Sequence, residues 1–512
     1  MLNYPEKGNR SDEGSLVLII ISVMLGVFLA GMDAIVVGTA MPTVVSELGG
    51  LNLYSWVFAA YMVASAVAMP LFGSLTDVFG KKRNFYASIG IFLLGSALSG
   101  MSTSMTELVL FRALQGIGAG GLAAVPFALI GSVFPVHRRG RAYGLISAVW
   151  AFASIIGPLV GSIIVLHLSW RWVFYINIPV GIAAVVLLTV SYHETPASRR
   201  ASIDWPGAAA LTAAIVSLLL FFLRVGEGEP VLSQGTSWLL AIFLGCSALF
   251  VVVELRTAKP LISLSFFKQR TFTLANLLAF SAEFSIFGVV AYVPMFVQNV
   301  QGGSAADAGL VIAPLSIGWS GASIVSGHLL HRTGEKSPIK YGILFMFLGF
   351  AGSYFVRYDS PVWYIVASML MVGIGMGSQT PSLLIIVQNS LSKSSIGVAT
   401  ATHMLTRTIG GAIGVSLMGA VLSRSLMAKF DFLSARGMMH SFPAEVQKHL
   451  GSPQQLLSEP VKNLLTSEQL TLVLRTFTVA IHDMFVVGLL AMTVSWLLSF
   501  LLPRRSRSMP AE

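Results

Sequence analysis

Gly73-Ser-Leu-Thr-Asp-Val-Phe-Gly-Lys-Lys-Arg83 lies between two apolar runs and combines two glycines, one acid and three cations within eleven residues. A weaker copy, Gly327-His-Leu-Leu-His-Arg-Thr-Gly-Glu-Lys336, follows 254 positions later. In the copy, His331 occupies the place of Asp77. Two cationic turns at equivalent places predict a chain of two related halves, an organisation typical of membrane transporters.

Two further pairs of segments repeat with nearly the same offset. Gly116-Ile-Gly-Ala-Gly120 is echoed by Gly373-Ile-Gly-Met-Gly377, and Ile156-Gly-Pro-Leu-Val-Gly161 by Ile409-Gly-Gly-Ala-Ile-Gly414. All three offsets lie between 253 and 257 positions. The predicted duplication therefore extends through most of each half.

The composition identifies a membrane protein with many spans. Of the 512 residues, 55% are hydrophobic and 11% are charged, and the mean hydropathy is +0.79. Soluble domains carry about 25% charged residues. The single cysteine, Cys246, excludes an intramolecular disulfide. The net charge of +10 does not indicate nucleic acid, because the cations lie between apolar runs, where they orient a protein in a bilayer.

The first apolar run, residues 16–41, is too long for a signal peptide. It has 26 residues and contains Asp33, whereas the apolar part of a signal peptide has roughly 7–15. We therefore expect a retained first span.

A span needs about 20 predominantly apolar residues, and this criterion predicts fourteen helices. They lie near 15–42, 53–73, 84–102, 107–133, 141–166, 172–191, 205–223, 236–254, 272–298, 308–329, 340–357, 362–387, 397–424 and 478–502. The predicted fold is all-α, with two six-helix halves and two extra central helices.

The predicted domains follow from these spans. They are a tail at 1–14, a first half at 15–191, a linker with two spans at 192–271, a second half at 272–502 and a tail at 503–512.

The distribution of cations predicts the orientation. Twenty-one Lys and Arg residues lie in the tails and in the connections on the same side as the tails. The opposite short loops hold Arg171, Arg224 and Arg357. Because cytoplasmic loops carry the excess of Lys and Arg, we expect both termini to be cytoplasmic and the protein to reside in the cytoplasmic membrane.

The segment 428–474 is predicted to face the outside. Thr466 and Gln469 resemble a capping box that opens the last helix. Two readings of the segment remain open. It is a solvated connector with short amphipathic pieces, or it is a lid or lateral guide for an amphiphilic substrate.

Five motifs in order resemble those of the major facilitator superfamily, specifically its fourteen-span drug:proton antiporter family. The opening stretch resembles the loop motif G-x-L-x-D-x-x-G-[RK]-[RK], and Leu110-Phe-Arg-Ala-Leu-Gln-Gly116 resembles R-x-x-Q-G of span four. Gly157-Pro158-x-x-Gly161 resembles the antiporter motif of span five. Met32-Asp-Ala-Ile-Val-Val-Gly-Thr-Ala-Met-Pro42 and Trp170-Arg-Trp-Val-Phe-Tyr-Ile-Asn-Ile-Pro179 resemble the motifs of span one and of the start of span six. In the span-five motif, Ser162 and Ala153 stand where the family usually has glycines.

The resemblance implies a transporter that exports amphiphilic compounds in exchange for protons by alternating access. We expect these compounds to be cationic. The alternative is an exporter or flippase of lipids or amphiphilic metabolites on the same fold. We expect no enzymatic activity and no cofactor, since G-x-x-x-x-G-K-[ST] does not occur in the sequence and no His/Cys/Glu metal cluster stands out. The expected partners are small amphiphilic substrates, protons and membrane lipids, with the chain acting as a monomer.

Asp33 and Arg112 are the first pair of candidate coupling residues. Counting 1.5 Å of rise per residue places both in the outer halves of their spans, at similar depth. A buried ionisable residue in a span is costly and usually marks a transport pathway. We expect Asp33 to alternate between a proton and a cationic substrate; the competing reading is a structural Asp33–Arg112 pair.

Glu283 and Arg407 are the candidates in the second half. Glu283 lies near the centre of the ninth predicted span, where apolar neighbours cannot offset its burial. A substrate or proton role competes with that of a hydrogen-bonded structural acid. Arg407 is predicted to contact an anionic group, Glu283 or backbone carbonyls. For His403, one turn earlier, packing is favoured over proton transfer.

The opening stretch is the candidate conformational latch: Gly73, Asp77, Gly80, Lys81, Lys82 and Arg83. Asp77 is predicted to accept hydrogen bonds from a helix N-terminus, while the three cations stay in water. The family resemblance implies that this cluster holds the halves together in the outward-facing state. Gly157, Pro158 and Gly161 are the candidate hinge; ordinary close helix packing is the competing reading.

Overall fold

The computed structural model describes residues 13–49, 53–194, 204–226, 229, 232–257, 262, 264–303, 305–392, 395–436, 442–443, 446, 456 and 459–502. The helices of the first half are α1 (Glu13–Leu48), α2 (Tyr54–Phe79), α3 (Lys81–Met101), α4 (Met105–Val133), α5 (Val136–His167), α6 (Trp172–Tyr175) and α7 (Asn177–Ser191). The central helices are α8 (Trp205–Gly226) and α9 (Gln234–Arg256). The second half contains α10 (Arg270–Asn299), α11 (Ala305–Thr333), α12 (Lys336–Tyr354), α13 (Val362–Asn389), α14 (Ile396–Ala435), α15 (Glu459–Lys462) and α16 (Ser467–Phe500).

A helix or helix pair overlaps each of the fourteen predicted spans. Within the described residues, twelve of these positions hold helices long and apolar enough to cross a membrane. The other two positions are α5 and α12, whose counterparts in the opposite half, α14 and α3, do meet the criterion. The predicted all-α protein with many membrane spans is confirmed.

The predicted ends of the last two spans are wrong. α14 continues to Ala435 and α16 already begins at Ser467, so both run about ten residues beyond the predicted limits. The 40 residues of α14 correspond to about 60 Å, roughly twice the hydrocarbon thickness of a bilayer. The segment 428–474 therefore begins and ends within helices, and the capping box of Thr466 and Gln469 is confirmed.

Four residues between α14 and α16 belong to the core of the second half. Phe442, Val446, Leu456 and Val461 are buried in the same apolar cluster as the spanning helices. Most of 437–458 lies outside the described residues. The described part packs onto the protein and is not fully solvated.

The two halves pack their helices in the same way. α1 packs against α5 and α7, and α4 against α2 and α3; correspondingly, α10 packs against α14 and α16, and α13 against α11 and α12. The repeated glycines lie at equivalent crossings. A Cβ atom on Gly116 would lie 2.4 Å from the carbonyl oxygen of Tyr61, and one on Gly373 would lie 2.1 Å from that of Leu315. Glycine is required there because any side chain would separate the helices.

The lysines Lys82 and Lys336 also have equivalent contacts. Lys82 Nζ donates hydrogen bonds to the carbonyl oxygens of Tyr192 and Thr189 at the end of α7. Lys336 Nζ donates to the carbonyl oxygen of Leu502, at 2.6 Å, just after α16. Lys82 is therefore only partly in water, since its ammonium group also contacts the end of α7. The last carbonyls of a helix lack intrahelical donors and carry partial negative charge, so they attract the ammonium group.

Two helix pairs make most of the contacts between the halves, α2 with α14 and α5 with α11, and smaller contacts join α4 with α14 and α5 with α13. The central helices pack on each other, and α8 also contacts α2 and α14. We call the side of the molecule on which α1 begins and α16 ends the terminal side.

Candidate functional site

Asp33 is the centre of a buried polar cluster in the first half. Arg112 Nη1 lies 2.5 Å from Asp33 Oδ2, and neither side chain is more than 1% exposed. Gln115 Nε2 and Asn177 Nδ2 donate to Asp33 Oδ1 at 2.8 and 3.2 Å. The guanidinium also lies 4.1 Å from the ring centroid of Tyr61. The carboxylate thus has donors on both oxygens.

The geometry matches the similar depths predicted for Asp33 and Arg112, but the carboxylate is sealed from solvent. A carboxylate that exchanges protons and substrate must be accessible from solvent, and that of Asp33 is not accessible in the present conformation. Sequence reasoning did not single out Gln115 and Asn177, although both lie inside the motifs of spans four and six.

The second half contains the more accessible ion pair. Arg407 Nε donates to Glu283 Oε1 at 2.6 Å, and Nη2 donates to the same oxygen. The side chain of Arg407 is 15% exposed and that of Glu283 is 4% exposed. Of the three contacts predicted for Arg407, the structure shows the one with Glu283.

Arg407 borders a crevice between α10, α13 and α14. The crevice is lined by Ala279, Ala282, Met376, Gln379, Thr380, Leu383, His403 and Arg407. His403 is buried, and its Nδ1 lies 3.2 Å from Asn276 Oδ1. The Glu283–Arg407 pair therefore lies beside this crevice, which in the present conformation is too narrow to admit a water molecule.

Asp77 joins the two halves at the start of α14. Its Oδ1 accepts the N–H of Gly397 and its Oδ2 accepts the N–H of Val398, both at 2.9 Å. These amides lack intrahelical partners and carry the positive end of the helix dipole. A Cβ atom on Gly73 would lie 2.2 Å from Ala401 Cβ. The glycine thus allows α2 to approach α14 closely enough for both hydrogen bonds.

Gly80 makes the turn between α2 and α3. Its φ is +92°, which disfavours residues with a side chain. The carboxylate of Glu194 lies where a Cβ atom would be, and it accepts the N–H groups of Lys81 and Lys82 at 2.6 and 3.1 Å. Arg83 is exposed. Sequence reasoning missed Glu194, because nothing local links it to a turn more than 100 positions earlier.

A second seam between the halves, where α5 packs against α11 and α13, closes the terminal side at another point. Tyr143 Oη donates to Gln388 Oε1 at 2.7 Å, and Gln388 Nε2 donates to the carbonyl oxygen of Phe127 at 3.3 Å. A Cβ atom on Gly140 would lie 2.7 Å from the carbonyl oxygen of Gly327. Gly327, the first residue of the weaker copy, thus lies in the seam, whereas the side chain of His331 is outside the described residues.

A chain of polar contacts adds a third link. Arg139 Nη1 donates to Asn389 Oδ1 at 3.2 Å, and Asn389 Nδ2 lies 3.5 Å from Glu335 Oε1. Burial raises the pKa of the Glu335 carboxyl above its ordinary value, and the Asn389 amide lowers it in part. These contacts connect α5 with the loop between α11 and α12.

The hinge candidates lie where α5 crosses α1. A Cβ atom on Gly161 would lie 2.1 Å from Thr39 Oγ1, and the equivalent atom on Gly414 would lie 2.0 Å from the carbonyl oxygen of Phe284. α5 is helical through Gly157 and Pro158, although the side chain of Pro158 is outside the described residues. The contacts show close packing, and a hinge stays a prediction.

We expect Asp77→Asn to shift the protein towards the state that is open on the terminal side. The amide loses the charge and places an NH₂ group against a backbone N–H, at a cost of about 1.5–3 kcal/mol. The population ratio should therefore change about tenfold or more. Distances between spin labels on the two halves measure this. Asp483→Asn is the control, because Asp483 pairs with Lys429 within the second half; an equal shift in both variants would contradict a latch.

Gly73→Ala should push α2 away from α14 and so weaken the contact between the halves, because its methyl group would overlap Ala401 Cβ. In a Cys246→Ser background, alkylation of a cysteine introduced by Ser320→Cys should accelerate, since Ser320 lies in the seam between α5 and α11. Gly90→Ala is the matched control, because nothing lies within 4 Å of its added Cβ. Unchanged alkylation in Gly73→Ala would show that this contact does not hold the halves together.

Comparison with known proteins agrees with this arrangement. Residues 23–415 match the sequence profile of the Major Facilitator Superfamily. The chain is 33% identical to the multidrug transporter protein MdtP of Bacillus subtilis (strain 168) over 514 residues, covering 97% of this chain and 94% of the relative. It is 30% identical to multidrug resistance protein 3 of the same organism over 485 residues, covering 95% and 94%.

Solved structures share the fold at low sequence identity. The human organic anion transporter MFSD10 (TETRAN) matches with a TM-score of 0.62 at 14% identity, over 93% of this chain and 99% of that chain. The proton:xylose symporter XylE matches with a TM-score of 0.59 at 15% identity, over 97% and 98%. Both matches show that this chain shares the fold of these transporters.

Proposed function

This chain belongs to the Major Facilitator Superfamily and is a membrane transporter, not an enzyme, and on that premise we propose that it exports amphiphilic, cationic compounds in exchange for protons. The relatives named as multidrug transporters favour export of drug-like compounds. The family resemblance of the five sequence motifs favours proton coupling. In the part of the chain that the structure describes, twelve of the fourteen expected spans meet the length and composition criteria.

The Glu283–Arg407 pair beside the crevice carries the proposal. A carboxylate within a span is costly unless it is paired or used. Here its partner Arg407 is partly exposed and lines a crevice between α10, α13 and α14. A cationic substrate would compete with the guanidinium of Arg407 for the carboxylate of Glu283. Protonation of Glu283 would remove the charge for which both compete and so release the substrate.

The sealed Asp33–Arg112 cluster has a different role in this proposal. Its donors satisfy both carboxylate oxygens without solvent. We assign it the task of holding α1, α4 and α7 together as one unit during the conformational change. The two halves would then move as rigid bodies about a site between them.

The proposed orientation places the terminal side in the cytoplasm of a cell bounded by a cytoplasmic membrane, because most cations lie there. The contacts of Asp77 and Tyr143 close that side. In this orientation the conformation is outward-facing, the state in which a proton from outside reaches Glu283 and the substrate leaves.

Transport by purified protein in lipid vesicles with an imposed pH gradient tests the function. We expect lipophilic cations to accumulate only when the gradient is present. Exchange of one proton for one monovalent cation moves no net charge and produces no current. With a neutral substrate, the membrane potential would add about 2.3 kcal/mol of driving force per 100 mV for each proton moved. Movement of fluorescent phospholipids in place of cations would support the flippase alternative, and absence of any gradient-driven movement would refute the proposal.

A further inference from the structure

Gln388, near the end of α13, makes hydrogen bonds to both halves of the protein. Its Oε1 accepts the hydroxyl of Tyr143 on α5 at 2.7 Å, and its Nε2 donates to the carbonyl oxygen of Phe127 on α4 at 3.3 Å. Nε2 also donates to Thr400 Oγ1 on α14 at 3.0 Å. Gln388 and Tyr143 are each 2% exposed. The amide is therefore satisfied without water, and two of its partners belong to the opposite half.

Gly131 on α4 provides the space for this amide. A Cβ atom on Gly131 would lie 2.8 Å from both Nε2 and Oε1 of Gln388. The two residues are also equivalent in the duplicated sequence, because the 257 positions between them are the offset that relates Gly116 to Gly373. Equivalent residues that touch each other lie on the pseudo-twofold axis between the halves. Two glycines would leave a hole on this axis and two glutamines would clash, whereas the unequal pair fills it.

The first seam, between α2 and α14, has a polar contact that the second seam cannot have. Asp77 accepts the N–H of Gly397 at the start of α14, where no carbonyl of the same helix competes for it. The counterpart of Gly397 in the first half is Gly144, at the offset of 253 positions found for the span-five segment. Gly144 lies well inside α5, so its N–H is bonded within the helix. His331 stands in the place of Asp77 there, and the polar contact of the second seam comes from Gln388.

We propose that Gln388 is a second latch, placed on the pseudo-twofold axis, that holds the terminal side closed. The proposal goes beyond the function proposed above, since it requires only that the two halves separate on the terminal side. The closed state has two hydrogen bonds from Gln388 to the opposite half, and water replaces them when the halves separate. Loss of the glutamine therefore destabilises the closed state more than the open one. Gln388 acts as a positioning residue and touches no substrate in this scheme.

The open-to-closed ratio on the terminal side measures the latch. Spin labels at Phe79 and Leu329, which are exposed near the terminal ends of α2 and α11, report the separation of the halves. Cys246→Ser removes the native thiol. We expect Gln388→Met to raise the ratio about tenfold, because methionine keeps the volume and makes neither bond to the opposite half.

Gln301→Met is the matched control for this substitution. Gln301 Nε2 donates to the carbonyl oxygen of Ser360 at 2.8 Å, within the second half. The same chemical change there should leave the ratio at its wild-type value.

Exchange of the two axial residues distinguishes a latch from general packing. Gly131→Gln alone places two glutamines on the axis and Gln388→Gly alone leaves a hole, so each should raise the ratio about tenfold or more. The double variant Gly131→Gln/Gln388→Gly should return it to within about threefold of wild type, since contacting residues are not additive. By the pseudosymmetry, the introduced glutamine meets the carbonyl oxygen of Leu384 and the hydroxyl of Ser147, the counterparts of the groups that Gln388 contacts through Nε2.

The recovery should be partial, because Ile396, the counterpart of Tyr143, has no hydroxyl. A double variant as open as the more open single variant would overturn the axial latch. An unchanged ratio in Gln388→Met would overturn it as well, even if the exchange variants do not fold. The measurement uses neither substrate nor pH gradient, so a failure of the proposed transport leaves this result standing.

Discussion

Glu283→Gln should reduce pH-driven export to the level of vesicles without protein, while substrate-for-substrate exchange across the membrane continues. The amide keeps an oxygen that accepts from Arg407, so the packing between α10 and α14 is preserved at a cost of about 1–3 kcal/mol. It cannot take up or release a proton. The alternating movement should therefore persist without being driven by the pH gradient.

Counterflow and gradient-driven uptake in the same vesicles separate these effects. Glu47→Gln is the control, because Glu47 pairs with Arg171 and its side chain is 47% exposed. That variant should keep coupled export, since exposed ion pairs contribute little. Full coupling in Glu283→Gln would remove Glu283 from the mechanism. Loss of counterflow together with coupling would indicate a structural role.

Arg112→Leu should lower the free energy of unfolding by about 3–5 kcal/mol, more than any other single substitution considered above. It leaves Asp33 buried with only the two amide donors of Gln115 and Asn177. Unfolding followed by temperature in detergent should show a markedly lower midpoint. The double variant Asp33→Leu/Arg112→Leu should be more stable than Arg112→Leu alone, because no uncompensated charge remains in the core.

The same double variant decides between the two readings of Asp33. Retained pH-driven export would show that the cluster is structural and that proton exchange occurs elsewhere, as the position of Glu283 suggests. Loss of coupling with counterflow intact would make Asp33 the exchanging group and contradict our assignment. A double variant no more stable than Arg112→Leu would contradict the charge-pair explanation.

Much of the architecture could be predicted from local sequence. Runs of about 20 apolar residues mark the spans because a helix must cross a fixed thickness of hydrocarbon. The repeated glycines predicted two halves, and the same glycines lie at equivalent helix crossings, as for Gly116 and Gly373. Helical rise alone placed Asp33 and Arg112 at matching depth. The predicted ends of α14 and α16 were wrong, because a polar segment beyond the bilayer can be helix or loop and its sequence does not decide between them.

The partners of the charged groups depended on the tertiary structure. Glu194 binds the start of α3, Lys82 binds the end of α7, and Gln388 of the second half accepts from Tyr143 of the first. The sequence by itself determined which segments span the membrane and that they repeat, since both follow from composition and spacing along the chain. Only the folded protein decided which acid is sealed and which adjoins a crevice, because that depends on how each helix is rotated and crossed against its neighbours.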